Sequence, residues 1–494
     1  MIKLIFRLFF LLIAASITLA ILYVFELPPF QNPATRPLSE NTDQTLAEEE
    51  KNLPENLRDN KIARDKSYQE IIDRAIQLEK SNFPSLAIAQ YQEAYKKDAS
   101  NLKPLYEIGK IQIRTNNFIK AQDVFQDLVE RDGNNIDAKI YLGRSLLGQR
   151  KISEARKVFD PITTPHQTVK YYQGILAAYF GENDRAKNLL DEAVKIGGSE
   201  EVKQKANNFL SAYNEYKFNS ESPDLHLKLL LARSFNQCGE YQMAIPLLFE
   251  VTKAKLDYRD AWILLGYAYL QTEKYQDAIE ALERAKVLDN QKPETLFYLG
   301  LGYYSINNFK SAEENLLKAK EYGYEPKILV DQKLAEVYLE LQNYPKSAAS
   351  YETVLSLNSQ DINYYIKPIW IYLEKTNQPQ KALALAQKAA TDHPQEAMAE
   401  NLLGWTYIYN NELKKAEDHL KYAQGLNPQL DATYLNFGLL YEKQNQFDKA
   451  LNFYQKAHTL GQESGVAAAA ATRYNKLFAS QKINTNIKAN LIAP

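Results

Sequence analysis

The stretch Trp262–Ala285, WILLGYAYLQTEKYQDAIEALERA, sets Gly266 and Ala278 twelve positions apart inside a leucine- and tyrosine-rich helical pattern. Such an interval fits two short helices folded back on each other, with a tight turn between them. A small residue on the first helix lets the second approach closely, and the second small residue is expected to sit opposite it. A bulky side chain at either place would overpack the contact, at about 1–3 kcal/mol.

The interval recurs outward in both directions. It appears at Ala75/Ala87, Gly109/Ala121, Gly143/Ala155, Gly174/Ala186 and Ala232/Ala244 before this stretch. After it come Gly300/Ala312, Ala335/Ser347, Gly404/Ala416 and Gly438/Ala450, and successive pairs mostly step by 34 residues. A large residue follows the first member by three (Tyr269, Tyr303, Tyr338, Tyr407, Tyr441), and another follows the second by four (Phe125, Phe159, Leu282, Leu316, Leu420, Tyr454). Alanine often stands seven after the second member, as at Ala285, Ala319 and Ala423. Turn signals such as Asn116-Asn117, Gly181-Glu182-Asn183 and Asn410-Asn411 lie between the members.

The 34-residue unit, with Trp262, Leu265, Gly266 and Tyr269 followed by Ala278, Leu282 and Ala285, resembles the tetratricopeptide repeat. Eleven such units fit between about Tyr68 and Ser464. The resemblance implies an all-α fold, an α-solenoid superhelix of about 11 helix pairs, with a concave inner wall supplied mainly by the first helix of each unit. Two departures interrupt the pattern. Ala232 follows Gly174 by 58 residues, so residues 201–224 read as an inserted helix and linker, a break between two segments. Trp370 stands where a small residue is expected, just after Pro368, while Ala386 stands where a large one is expected. The indole is expected to fill the space that Ala386 leaves, with the proline kinking the helix.

The ends read differently. From Leu8 to Phe25 no charge occurs, and eighteen helical residues cover about 27 Å, close to the roughly 30 Å of a bilayer core. Lys3 and Arg7 precede this run and acidic residues follow it, which favours a cytoplasmic N-terminus with the remainder outside, in the periplasm or at the cell surface. A cleaved signal peptide ending near Thr18-Leu19-Ala20 is the rival, disfavoured because Ile21–Phe25 continues the apolar run. The expected organisation is therefore a transmembrane anchor at 1–25, a proline-rich flexible linker at 26–66, and four repeats at 67–200. The insert at 201–224 follows, then seven repeats at 225–464, a capping helix at 465–480 and a disordered tail at 481–494.

Chemistry is hard to find. A net charge of −2, from 59 basic and 61 acidic residues, provides no field for gathering nucleic acid. Cys238 is the single cysteine, beside Gly239 in an expected turn, and reads as an inert thiol. The five histidines, His166, His226, His393, His419 and His458, lie far apart without ligand spacing. Gly300-Leu-Gly302 falls mid-helix in a repeat, with no strand before it, and reads as packing. Once repeats and ends are subtracted, no catalytic-domain length is left, so no enzyme, cofactor, metal or catalytic residue is expected.

The family's groove positions fall on Tyr106, Lys110, Arg114 and Arg144 in the early units, and on Tyr267, Phe297, Tyr304, Trp405 and Tyr409 in the later ones. The wall is then basic and polar first, aromatic later. Each aromatic could equally be inter-repeat packing, and each cation an ordinary solvated face. By resemblance, the expected partners are protein or peptide segments, and anchored arrays of this kind in bacterial envelopes organise secretion, pilus or polysaccharide-export machinery. The alternative is a carbohydrate-binding envelope component whose Tyr/Trp wall stacks on glycan rings.

Overall fold

The computed structural model describes residues 67–216, 223–461 and 464–481, with Leu46; the expected anchor, most of the linker and the tail lie outside the described residues. Among the described residues there are 24 α-helices and no strand, an all-α fold. None of these helices is long and apolar enough to cross a membrane. They begin with α1 (Tyr68–Lys80), α2 (Pro84–Lys97), α3 (Lys103–Arg114), α4 (Phe118–Arg131), α5 (Ile136–Gly148) and α6 (Ile152–Phe159). Next come α7 (Gln167–Tyr179), α8 (Asn183–Lys195), α9 (Glu200–Tyr216), α10 (Pro223–Gln237), α11 (Tyr241–Ala254) and α12 (Arg259–Gln271). The series continues with α13 (Tyr275–Leu288), α14 (Pro293–Ser305), α15 (Phe309–Glu321), α16 (Lys327–Glu340), α17 (Tyr344–Leu357) and α18 (Asn363–Trp370). It ends with α19 (Pro379–Asp392), α20 (Ala397–Tyr409), α21 (Leu413–Leu426), α22 (Asp431–Lys443), α23 (Phe447–Gly461) and α24 (Gly465–Gln481).

The turn within each pair explains why the helices stop where they do. Asn82, Asn116, Arg150, Gly181, Gly239, Glu273, Asn307, Gln342, Asn377, Asn411 and Asn445 all have positive φ. Asparagine tolerates this left-handed conformation better than most residues, and it supplies most of these turns. The following N–H then reaches back five residues, as in Asn117 N to Gln112 O (2.7 Å) and Lys274 N to Tyr269 O (2.9 Å), satisfying a carbonyl that the helix end leaves open. Between pairs, Asp132, Asp289, Asn358 and Asn427 accept from the backbone N–H two residues on, at 2.9–3.0 Å.

The close approach read from the glycines is present, with a different partner. A Cβ on Gly266 would stand 2.4 Å from Leu282, one on Gly143 2.2 Å from Phe159, and one on Gly438 2.4 Å from Tyr454. The residue opposite each glycine is therefore the large side chain four positions after the alanine, and the alanine is itself fully buried. The glycine makes the hole and the large residue fills it, which a close-packed interior requires.

The chain forms two compact units, and among the described residues the first is 88–302 and the second is 67–87 together with 303–481. In the first, the pairs α3/α4, α5/α6, α7/α8, α10/α11 and α12/α13 share one core from Ala121 to Ala281. The insert expected at 201–224 contains a helix, α9, and residues 217–222 lie outside the described residues. Inserted α9 packs on α7, α8 and α10, and its Phe209 is fully buried, edge-on to Phe235 at 4.8 Å. Sequence spacing registers extra residues but not what they pack on, and here an apolar face on α9 continues the core.

In the second unit, α16/α17, α18/α19, α20/α21 and α22/α23 repeat the pairing, and α24 packs on α23 and α22. Trp370 departs from expectation. Directly after it, residues 371–375 widen into a π-helical turn, and Gln378 N reaches six residues back to Tyr372 O instead of five. Counting on from Ala335 by the regular 34 puts Ile369 in the small-residue place, one residue before the usual seven-residue count back from Asn377. Ile369 and Ala386 are both fully buried, so large and small have exchanged helices. Trp370 is displaced by one position, half-buried, with Lys375 Nζ 5.0 Å and Lys367 Nζ 5.6 Å from its ring centre. Pro368, lacking an N–H, is the physical reason the helix can widen there.

Candidate partner-binding site

The first helix of each pair carries the nine groove positions, and the structure sorts them into three kinds. Tyr267 and Phe297 are buried. Tyr267 lies 6.1 Å from Tyr241 and 5.3 Å from Tyr298, ring centre to ring centre, and Phe297 is edge-on to Tyr298 at 5.8 Å. Both are packing residues, and neither offers a face to a ligand.

The early positions are neutralised from within. Tyr106 is half-buried, edge-on to Phe125 at 5.6 Å and to Tyr141 at 5.4 Å, and burial, with Asp137 adding, pushes its phenol above the ordinary range. Lys110 pairs with Glu107 at 2.6 Å; Arg114, one turn further along α3, is exposed. Arg144 lies over Tyr141 at 5.2 Å. Desolvation acts to lower its pKa, but Tyr172 and Glu240 more than offset that and hold it up. Burial raises the carboxyl of Glu240 against the pull of Lys205 and Arg144, and Tyr172 Oη donates to it at 3.4 Å. Lys110 and Arg144 of the strip read as basic are thus balanced by acids that the repeat pattern does not mark.

Beside it, burial pushes the Cys238 thiol up to about 12, with Glu240 adding. Asn208 Nδ2 donates to its Sγ at 3.8 Å. A thiol so held is a weak nucleophile.

The remaining late positions are half-buried. Tyr304 is half-buried, with Lys333 Nζ 4.5 Å from its ring centre, and burial raises its phenol to about 12. Trp405 and Tyr409 are one turn apart on α20, so they share a face. Trp405 packs half-buried against the core of the second unit, and its indole N–H is buried with no hydrogen-bond partner in the described residues. Tyr409 Oη donates to Glu374, which also accepts from Arg473 at 3.1 Å. Tyr454 Oη donates to Glu442, and Arg473 lies within the field of both carboxylates and both phenols.

The sequence has 34 Tyr against 20 Phe, and some of these tyrosines use the hydroxyl that phenylalanine lacks. Tyr365 donates to Asp392 at 2.5 Å and Tyr372 to Glu352 at 2.7 Å, each ring buried and each hydroxyl reaching a carboxylate on a neighbouring helix. Glu374, Glu442, Tyr454 and Arg473 are not legible as site residues from the repeat pattern. One signal is present: Glu442 stands four residues after Gly438, where Leu270, Leu339 and Ile408 stand after their own small residues. Among the described residues no group of three or more His, Cys, Asp or Glu could hold a metal ion. His419 instead contacts Glu400 at 2.6 Å, and His393 reaches Ser359 O at 2.8 Å.

Against known proteins, the tetratricopeptide-repeat profile matches residues 229–293 and 371–431, and a second profile of the same repeat matches 432–460. The chain carries tetratricopeptide repeats. A TPR repeat-containing protein of Methanocaldococcus jannaschii is 21% identical over 275 residues, 47% of this chain and 48% of the relative, so the match spans about half of that protein's length. Among solved structures, Naa15/Naa10 bound to HypK-THB is similar at 12% identity and a TM-score of 0.37, covering 85% of this chain and 88% of that one. Yeast Tom70 is similar at 13% identity and a TM-score of 0.30, covering 85% and 97%. Tetratricopeptide repeats are protein-interaction scaffolds, and protein or peptide partners are what such repeats bind.

Proposed function

We propose that this tetratricopeptide protein is a membrane-anchored scaffold whose second unit clasps partner protein segments along the face of α20, in the assembly of a secretion, pilus or polysaccharide-export complex of a cell envelope. The observation that carries the binding surface is the Trp405–Tyr409 pair, two half-buried aromatics on one face with an indole N–H that lacks an acceptor. Buried amphipathic rings of this kind give large contact area with few rotors. A protein segment fits better than a glycan, because Trp405 is packed into the core and the Tyr409 hydroxyl is already engaged by Glu374. The anchoring rests on the uncharged run Leu8–Phe25 and its flanking charges.

In-membrane crosslinking of the full chain, followed by identification of the attached species, tests the reading. Wild type should capture a protein that Trp405→Ala with Tyr409→Ala fails to capture. Capture that survives both substitutions would move the site elsewhere. A reporter fused after Pro494 should be active outside the cytoplasm, and cytoplasmic activity would overturn the orientation.

A further inference from the structure

Arg473 is an unusual neighbour for Glu374. They are 99 residues apart, on α24 and on the π-helical turn after α18, yet N to O is 3.1 Å. The guanidinium lies close to the hydroxyls of Tyr409 and Tyr454 and to the carboxylate of Glu442. Two carboxylates and two phenols thus converge on one cation from four different helical segments. An ammonium has three donors on a point charge. A guanidinium presents five in a plane, which matches this spread of acceptors.

The seat and its occupant are held unequally. Tyr409 and Tyr454 come from helices packed on both sides within the unit. Arg473 comes from α24, the last helix among the described residues, fixed on one side by the buried Ala467, Ala470, Ala471 and Leu477 and by Ser464 Oγ donating to Asp431 at 2.7 Å. Its side chain keeps 31% exposure and that of Glu374 keeps 28%, so solvent reaches the pair and exchange has a path. One turn along α20 from Tyr409 is the unpartnered indole N–H of Trp405.

Resting on the scaffold reading above, the geometry points to an arginine-recognition subsite at Glu374, Tyr409, Glu442 and Tyr454, filled at rest by the chain's own Arg473 on α24. A partner segment binds by exchanging its arginine for Arg473. The internal arginine is a tethered competitor, so it lowers the apparent affinity for the partner by the fraction of time it leaves the seat.

Two measurements on the full chain test this. In Arg473→Ala the seat is empty, and ethylguanidinium titrated in the millimolar range should give a saturable change in tryptophan fluorescence; wild type and the Arg473→Ala/Glu374→Gln double variant should not, and ethylammonium should bind at least about tenfold more weakly. The second probe is an array of twelve-residue peptides, each made with arginine and with citrulline. Arginine peptides should bind Arg473→Ala about tenfold or more tighter than wild type, citrulline peptides equally to both, and Glu374→Gln should erase the difference.

If peptides bind without arginine dependence and ethylguanidinium does not saturate, the subsite is overturned while the scaffold reading stands. If ethylguanidinium saturates but no peptide binds any variant, the seat stands and the scaffold reading fails. Should Arg473→Ala unfold α24, hydrogen exchange on wild type decides: arginine peptides should deprotect residues 465–481 and citrulline peptides should not. Equal protection with both would overturn the exchange.

Discussion

The two units each set an arginine among tyrosines and a glutamate, and they do so in opposite ways. In the first, Arg144 belongs to α5, an internal helix with α4 and α6 packed on it, and it rests on Tyr141 while its glutamate, Glu240, is half-buried with a raised carboxyl. In the second, Arg473 belongs to the last described helix and pairs directly with Glu374. The first arrangement can change only if the stack opens. The second can change when one terminal helix shifts, which costs far less because few contacts must be broken.

The sharpest way to break this comparison is through the cores beneath. Phe159→Ala should cost about 3–5 kcal/mol and lower the urea midpoint of the first unit. Thiol labelling reads it independently: Cys238, buried and shifted to about 12, should label slowly in wild type and faster in the variant. Gly438→Ala should come next, at about 1–3 kcal/mol, because the added Cβ meets Tyr454 at 2.4 Å and drives that ring from the Arg473 seat. Hydrogen exchange should then rise in α24 and not in α5.

Glu374→Gln should be smaller, about 1 kcal/mol or less for a half-exposed pair, again with faster exchange confined to residues 465–481. Its counterpart Glu240→Gln should behave oppositely. The Glu240 carboxyl is raised in the folded state, so its stabilising protonated form is fully present below the ordinary carboxylate range and is lost as pH rises through the raised value. The variant should therefore match wild type in acid and be the more stable of the two at neutral pH.

The smallest effect is expected at Asp392, whose pKa is lowered to about 2 by hydrogen bonds from Lys388 and Tyr365. Its contribution is present above the ordinary aspartate value of 3.8 and fades as pH falls toward about 2. Asp392→Asn should therefore lower the second unit's stability slightly at neutral pH and match wild type as pH falls toward about 2, flattening the acid limb of its stability profile.

The helix pairs are legible because their signal is local: Gly266, its turn at Glu273 and Leu282 lie within seventeen residues and report one contact. Even there, the conspicuous twelve-residue spacing points to Ala278 as the glycine's partner, and the matching bulk at Leu282 looks like a mere companion. The repeat pattern sets Tyr267 and Phe297 on the wall because position along a helix fixes direction, whereas burial depends on what the neighbouring pairs bring over it. Arg473 leaves no trace in the pattern at all. Its meeting with Glu374 depends on curvature summed over three repeats and on a widened turn that no residue count reveals.

The π turn at 371–375 has one further consequence. An added residue in an ordinary helix would rotate every later side chain by about 100° and carry the apolar stripe off the core. Here the surplus is swallowed inside a single loop of backbone, and the phase is restored before the next helix starts. A linear array that can absorb a one-residue stutter in this way is free to accept small length changes during its history without repacking the pairs downstream.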